Sequence, residues 1–432
     1  MIKQRRLSVG ERIMFVAERE AINCIFPFRI AGSFNPDQLQ AVLNRLQQKH
    51  PLLRALIKQI DGYPSFILKE DAPSIPITLY DRLDDEHWLL LVKQSWKDHI
   101  DLREGPLAKL IWIRGNLISD FILICPHCIA DGASITAILR EFLLLLNDIN
   151  TDIGEPQTLI ESALMPYTAS LTKRVKIGLK ALIGKCAAQL FLPKRLASNK
   201  TINLDDTYMV RYRLPSVDMQ NLLTCCRQHQ VSLYALMSAI FFDEVARIFP
   251  KPKGKLICPV DIRKYIPSLK EDQLFAFAPI IDLKVEKETS IWDQAKKLKK
   301  QLQIGLAKID AHEIIYINEH LQSIVPKLLN HLRTNEGSHD FTFSNMGSLA
   351  IPSHFDNFKV EQIYSPTVAF PWKNPSTMVI STYHDVLDMT FTSNEAVLRE
   401  EDAKRFLKQV IQRLRDLIEA ERVQSSINTA TL

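Results

Sequence analysis

The run Phe121-Ile-Leu-Ile-Cys125 constrains this chain more than any other stretch of it. Consecutive apolar residues of that kind read as a buried strand. A short turn follows, and then Ile135, Ile138, Leu139, Phe142, Leu143 and Leu146 recur at helical spacing. A buried strand that passes through a tight turn into an amphipathic helix implies an α/β architecture. His127 stands where the strand gives way to the turn, Asp131 lies four residues on, and Gly132 comes straight after it. A fixed scaffold that presents an imidazole at a strand end suits a general base.

The rest of the chain keeps the alternation. Strands are predicted over 24–31, 53–60, 107–113 and 117–125, the last two paired across Gly115, with helices over 36–49 and 85–96. The loop 147–157, rich in Asn, Asp, Gly and Pro, marks a boundary. Beyond residue 203 a second α/β unit begins. It has strands predicted over 208–214, 256–260, 279–285, 341–345, 378–383 and 387–391, and helices over 233–248, 291–302 and 400–421. Ser232 is placed to cap the first of these helices. The expected division is an N-terminal unit over 1–160, a basic crossover region over 161–202 and a C-terminal unit over 203–432. No internal repeat is visible in the sequence.

A chain of 432 residues exceeds what one core usually serves, and 46% hydrophobic with 24% charged residues is ordinary for a globular protein. The formal charge of +5 is small for this length. With no zinc-finger, RNP or helix-turn-helix pattern, it gives no argument for nucleic acid. The 7 cysteines are odd in number and scattered, so a reducing cytoplasm is the expected compartment. Cys125 and Cys128 flank His127 but lack a second ligand pair, so they are read as small core residues, and no metal is expected. No apolar run is long enough to span a bilayer, and the N-terminus lacks a secretory pattern. A Gly-x-Ser-x-Gly elbow and a dinucleotide fingerprint are both absent. The stretch 178–185 has the wrong spacing for a phosphate loop.

Pro126-His127-Cys128-Ile129-Ala130-Asp131-Gly132 resembles the HHxxxDG motif of the condensation-domain and chloramphenicol-acetyltransferase-like acyltransferases. His127 falls on the second, catalytic histidine of that motif, and Pro126 stands where many members carry the first. Several branches of the superfamily need only HxxxDG. Further segments match in order: Phe28-Arg29-Ile30-Ala31-Gly32, the "HPxLR"-like His50-Pro51-Leu52-Leu53-Arg54, and Gly105-Pro106-Leu107. Pro259-Val260-Asp261-Ile262-Arg263 resembles the "vdlR" segment, and Ser344-Asn345-Met346-Gly347 the "SNxG" strand of the polyketide-associated and alcohol acyltransferases. The matches span nearly the whole chain.

The resemblance implies two chloramphenicol-acetyltransferase-like subdomains forming a pseudo-dimer with a tunnel between them. It implies transfer of an acyl group from a thioester, on coenzyme A or a carrier protein, to a hydroxyl or amine, with His127 as base. The donor arrives activated, so no cofactor is implied beyond the acyl-CoA or phosphopantetheine-bound substrate. Implied partners are that donor, a small alcohol or amine and an acyl-carrier protein, with membrane contact at most peripheral. Amide-forming condensation, or a non-catalytic member that binds a carrier or lipid, are the alternatives. Asp131 is implied to pair with Arg263 behind the site rather than to orient the imidazole. Ser344 and Asn345 either satisfy local backbone or face the tunnel, and the resemblance favours the second.

Plainer roles stand beside these. His127 could be a core histidine, Asp131 an N-cap, and Gly132 a residue the turn requires or one that lets substrate approach a helix-start N–H. His50 and His384 are expected in core or surface roles. Lys173, Arg174, Lys176, Lys180, Lys185, Lys194, Arg195 and Lys200 form a basic run with no acid between them, and Val175, Leu179, Leu182, Ile183 and Leu190 recur at roughly helical intervals. Such a stretch can lie on an anionic membrane, but a packed crossover helix with solvated lysines is the expectation.

Overall fold

Strand Ile118–Pro126 is the centre of the N-terminal half. It is buried along nearly its whole length because strands flank it on both edges. Asn23–Ala31 pairs with it antiparallel on one side, and Lys109–Arg114 on the other, across the Gly115 turn. Ile77–Asp81 adds in parallel at the outer edge. Helices Pro36–Lys49 and Gly132–Asn147 share one core with these strands. Leu39, Val42, Leu43 and Leu46 of the first meet Ile135, Ile138, Leu139 and Phe142 of the second around Phe28 and Phe121. The Phe28 and Phe121 rings stack with centroids 5.4 Å apart. The computed structural model describes residues 3–15, 22–159, 170–192, 202–267, 269–285 and 290–430.

The C-terminal half is built on a second sheet, ordered Ile280–Lys284, Lys255–Pro259, Phe341–Ser348, Thr377–Tyr383, Val386–Asn394, Thr207–Leu214. Phe241, Phe341, Phe343, Phe391 and Phe406 fill the space between it and helices Leu233–Ile248 and Glu400–Ala430. Ser232 caps the first of these, its hydroxyl accepting from the Ala235 N–H.

The two halves repeat one topology that the sequence hides. In each, an early strand (Asn23–Ala31; Thr207–Leu214) pairs antiparallel with the second strand of a later hairpin. The first strand of that hairpin pairs parallel with another strand (Ile77–Asp81; Phe341–Ser348), and a long helix follows the hairpin. Burial pattern and connection order are shared while residue identities are not, so a sequence comparison of the halves finds nothing. The expected mixed α/β fold of two similarly built halves is what the structure has.

One segment crosses between the halves. Between Phe341–Ser348 and Thr377–Tyr383 the chain leaves the C-terminal sheet. Lys359–Ile363 then pairs antiparallel with residues 28–31, and Thr367–Val368 with residues 24 and 25, of the N-terminal sheet. The expected 203–432 unit therefore needs an amendment: residues 359–368 complete the other half's sheet. A third small sheet joins Gln4–Arg6, Tyr63–Leu68 and Ala55–Ile60, of which only the last was expected from the sequence. Its first strand is polar, and its central Arg5 is buried only because it forms a bidentate pair with buried Glu11 at 2.6 and 2.7 Å and lies over Phe66.

The basic stretch forms helix Leu171–Phe191. It packs against helix Ala311–His320 through buried Ile177 and Ala181. Leu179, Leu182 and Ile183 are exposed, so the expectation that this helix buries its apolar positions is corrected. Lys194, Arg195, Lys200 and the segments 160–169 and 193–201 lie outside the described residues.

Candidate functional site

His127 opens the turn that ends the central strand. Its N–H donates to the Ile22 carbonyl at 2.6 Å, and the Ile129 N–H closes the turn onto the Pro126 carbonyl at 3.0 Å. Both bonds fix the backbone and leave the ring free of them. The ring is half-buried. Nδ1 is buried with no hydrogen-bond partner, whereas Nε2 is neither buried nor hydrogen-bonded, so Nε2 is the nitrogen that reaches open space. Burial pushes the imidazole below its ordinary value of 6.5, against the opposing pull of the His127 and Ala130 backbone and the Asp131 carboxylate. At neutral pH the ring is therefore an uncharged base with one nitrogen available.

Asp131 serves two structural ends and does not touch the imidazole. It caps helix Gly132–Asn147, its Oδ1 accepting from the Ser134 N–H at 2.9 Å. The same carboxylate takes a bidentate pair of bonds from Arg263, Nη1 to Oδ2 at 2.8 Å and Nη2 to Oδ1 at 2.9 Å. The Arg263 side chain is 3% exposed. Its remaining N–H groups are met by the Ser134 hydroxyl at 2.7 Å, the Phe275 and Gln273 carbonyls, and Asp261 at 3.0 Å. Burial works against the guanidinium's charge, but Asp131 and Asp261 more than offset this and raise its pKa. The turn that carries His127 is thus tied to the other half of the molecule through a buried ion pair.

Gly132 meets the second half directly. A Cβ placed there would lie 2.5 Å from Sδ and 2.9 Å from Cε of Met346, on the strand that also carries Ser344 and Asn345. Any side chain here would have to displace the flexible end of Met346, so close approach between the halves favours glycine. Ser344 is half-buried and Asn345 exposed. Asn345 Oδ1 accepts from the Gly347 N–H at 2.8 Å inside a break of the strand register, where Gly347 takes φ +69°. Its carbonyl oxygen is thus used on local backbone, while its amide group has no partner among the described residues.

Sequence reasoning missed several neighbours. Phe370 faces the His127 ring at a centroid distance of 6.2 Å and stacks on Trp372 at 5.8 Å. Both follow the strand that crosses into the N-terminal sheet, in a stretch with neither period 2 nor period 3.6 to mark it. Met346, Ser134, Gln273 and Phe275 were missed for the same reason: only tertiary contact selects them. Cys24, Cys125 and Cys128 are buried beneath the turn, Cys24 and Cys125 being cross-strand partners. Burial pushes the Cys24 thiol up to about 12 and the other two upward as well, so all three are packed as neutral thiols.

His50 and His384 lie in different settings. His50 is fully buried, its Nε2 2.7 Å from Glu141, which also pairs with Lys49 at 2.5 Å. Lys49 reaches Asp272 of the second half at 2.5 Å, so this cluster is a further bolt between the halves. His384 is exposed in a hairpin turn at φ +45°.

Residues 8–158 match the family model of the Condensation domain. Over 96–97% of its length the chain shares the fold of solved condensation-domain and acetyltransferase structures. The trichothecene 15-O-acetyltransferase TRI3 from Fusarium sporotrichioides superposes with a TM-score of 0.70 at 13% identity, covering 96% of this chain and 94% of that one. The condensation domain of the monacolin K polyketide synthase MokA gives 0.68 at 12% identity, covering 97% and 98%. Polyketide synthase associated protein 5 from Mycobacterium tuberculosis gives 0.64 at 15% identity, covering 96% and 98%. In sequence, the nonribosomal peptide synthetase agiA from Aspergillus flavus is 20% identical over 320 residues, 70% of this chain; the match takes up only 4% of that protein's length.

Proposed function

We propose that this protein is an acyltransferase that moves an acyl group from a thioester to a hydroxyl or amine, with His127 as the general base. The observation that carries the reading is the state of His127: a backbone-fixed, uncharged imidazole with Nε2 unbonded and accessible, beside the contact between the two halves. In the proposed step Nε2 takes the proton of the acceptor hydroxyl or amine as that group attacks the thioester carbonyl. The tetrahedral intermediate collapses, and the thiolate of coenzyme A or phosphopantetheine leaves, protonated by the imidazolium. Each bond formed has its counterpart broken, and no electrons are exchanged. Uncharged amide N–H groups, the Asn345 side chain among them, are candidates to receive the oxyanion, a contribution that is large when donors are fixed in advance.

Asp131 and Arg263 act as positioning residues in this reading, because they hold the turn and the helix that follow His127. The Condensation domain match and the synthetase relative support a carrier-bound donor, and with it amide formation, as the second reading. The test is a mass-spectrometric screen of acyl-CoA and acyl-carrier donors against mixed alcohols and amines, with His127→Ala alongside. The proposal expects acyl transfer that falls by about 10²–10⁴-fold in the variant. Wild-type turnover in a folded His127→Ala protein removes the base assignment, and its donor and acceptor profile separates ester from amide chemistry.

A further inference from the structure

Helix Leu171–Phe191 leaves an apolar ridge uncovered. Leu171, Val175, Leu179, Leu182 and Ile183 follow the spacing i, i+4, i+8, i+11, i+12 and are 56–78% exposed. At 100° per residue they fall within one third of the helix circumference, and at 1.5 Å per residue the ridge is about 18 Å long. The helix is held from its opposite side. Ile177 and Ala181 are buried against helix Ala311–His320, and Lys173 and Lys180 pair with Asp310 and Glu313 at 2.9 Å each. The ridge therefore does not result from a helix left undocked.

Charge frames the ridge on both sides. Arg174 and Lys185 project along one flank and Lys176 along the other, by their positions on the helical wheel, and none has an acidic partner among the described residues. The sequence from 162 to 204 contains no Asp or Glu at all. We propose that this face docks on an anionic lipid surface, with the five apolar side chains entering the acyl boundary and Arg174, Lys176 and Lys185 meeting the headgroups. A convex ridge with basic groups at similar height on both flanks is matched by a plane, which can satisfy every one of these groups at once. No helix among the described residues is long and apolar enough to cross a bilayer, so the geometry is that of a helix lying in the interface. This inference stands apart from the acyl-transfer reading, and its assay does not read catalysis.

The experiment is sedimentation of the full chain with vesicles of phosphatidylcholine containing 30% phosphatidylserine, and with phosphatidylcholine alone, across a salt series. Pelleting with the anionic vesicles, weakening as salt rises, is expected. Replacing Arg174, Lys176 and Lys185 together by Gln is expected to weaken it about 100-fold. A second variant, Leu179→Gln with Leu182→Gln and Ile183→Gln, is expected to abolish pelleting while the melting temperature holds, since all three side chains are exposed. Light scattering is run on the same samples. Absence of pelleting at low salt, equal pelleting by the Leu-to-Gln variant, or a wild-type dimer that this variant dissociates without any vesicle binding would each overturn the proposal.

Discussion

Replacing Asp131 by Asn tests how the two halves are held around the catalytic turn. The substitution keeps the side chain's shape and an oxygen for the Ser134 N–H, but removes the charge that faces Arg263 and turns the oxygen opposite Arg263 Nη1 into an amide donor. With its side chain 3% exposed, Arg263 retains a single carboxylate, Asp261, which is half-exposed. Removing one partner of a buried pair costs about 3–5 kcal/mol, because the other charge stays in a poorly solvating interior. Asp261 at 3.0 Å and the neutral acceptors around the guanidinium place Asp131→Asn near the lower end, at about 3 kcal/mol. Arg263→Met leaves the carboxylate with its helix N–H alone and belongs in the same range. The double variant buries neither charge, so its loss should fall well short of the sum of the two single losses, with a coupling of about 2–3 kcal/mol. Urea unfolding followed by tryptophan fluorescence and circular dichroism measures all four corners of the cycle. Additive single losses, with a coupling below about 0.5 kcal/mol, would refute the claim that this pair fastens the turn to the second half.

The acid limb of kcat/KM should have its midpoint below 6.5, because burial lowers the His127 value. The same sign applies to stability. The unfolded chain takes up this proton first, so the contribution of His127 is complete above 6.5 and is lost as pH falls through the lower folded value. A pH–rate profile with its midpoint above 6.5, unmoved by substitutions around the ring, would contradict this. Gly132→Ala should lower activity by driving its Cβ into Met346, and Met346→Ala in the same chain should restore much of it, since the clash is with a flexible side-chain end. Failure of the second substitution to rescue turnover would refute the claim that contact with Met346 is what keeps this position small.

Local signals located most elements well. The helix expected at 36–49 is Pro36–Lys49, opened by an Asn35 cap with proline at its first turn. The capped helix after Ser232 and the hairpin around Gly115 are equally legible, because caps, turn glycines and apolar periods act over a few residues. Helices Ser216–Gln228, Ala311–His320 and Val325–Thr334 were missed. Ala311 is the only fully buried position of the second, so its burial prints almost no periodicity on the sequence.

What the sequence determined by itself is the strand, turn and helix around His127, and the presence of an acid and a glycine in fixed register with it. Chain connectivity within a dozen residues sets those positions, and no distant contact is needed to define them. The motif resemblance implied that Asp131 bonds Arg263 rather than the imidazole, but only tertiary structure brings the two groups, 132 residues apart, together. Tertiary structure also decided that Met346 closes on Gly132, and that residues 359–368 leave their own sheet to finish the other. The basic helix shows the same limit most plainly. Its 3.6-residue period reveals that one face is apolar, but whether protein or solvent covers that face depends on where the neighbouring helix docks, and here the neighbour took Ile177 and Ala181 and left the leucines bare.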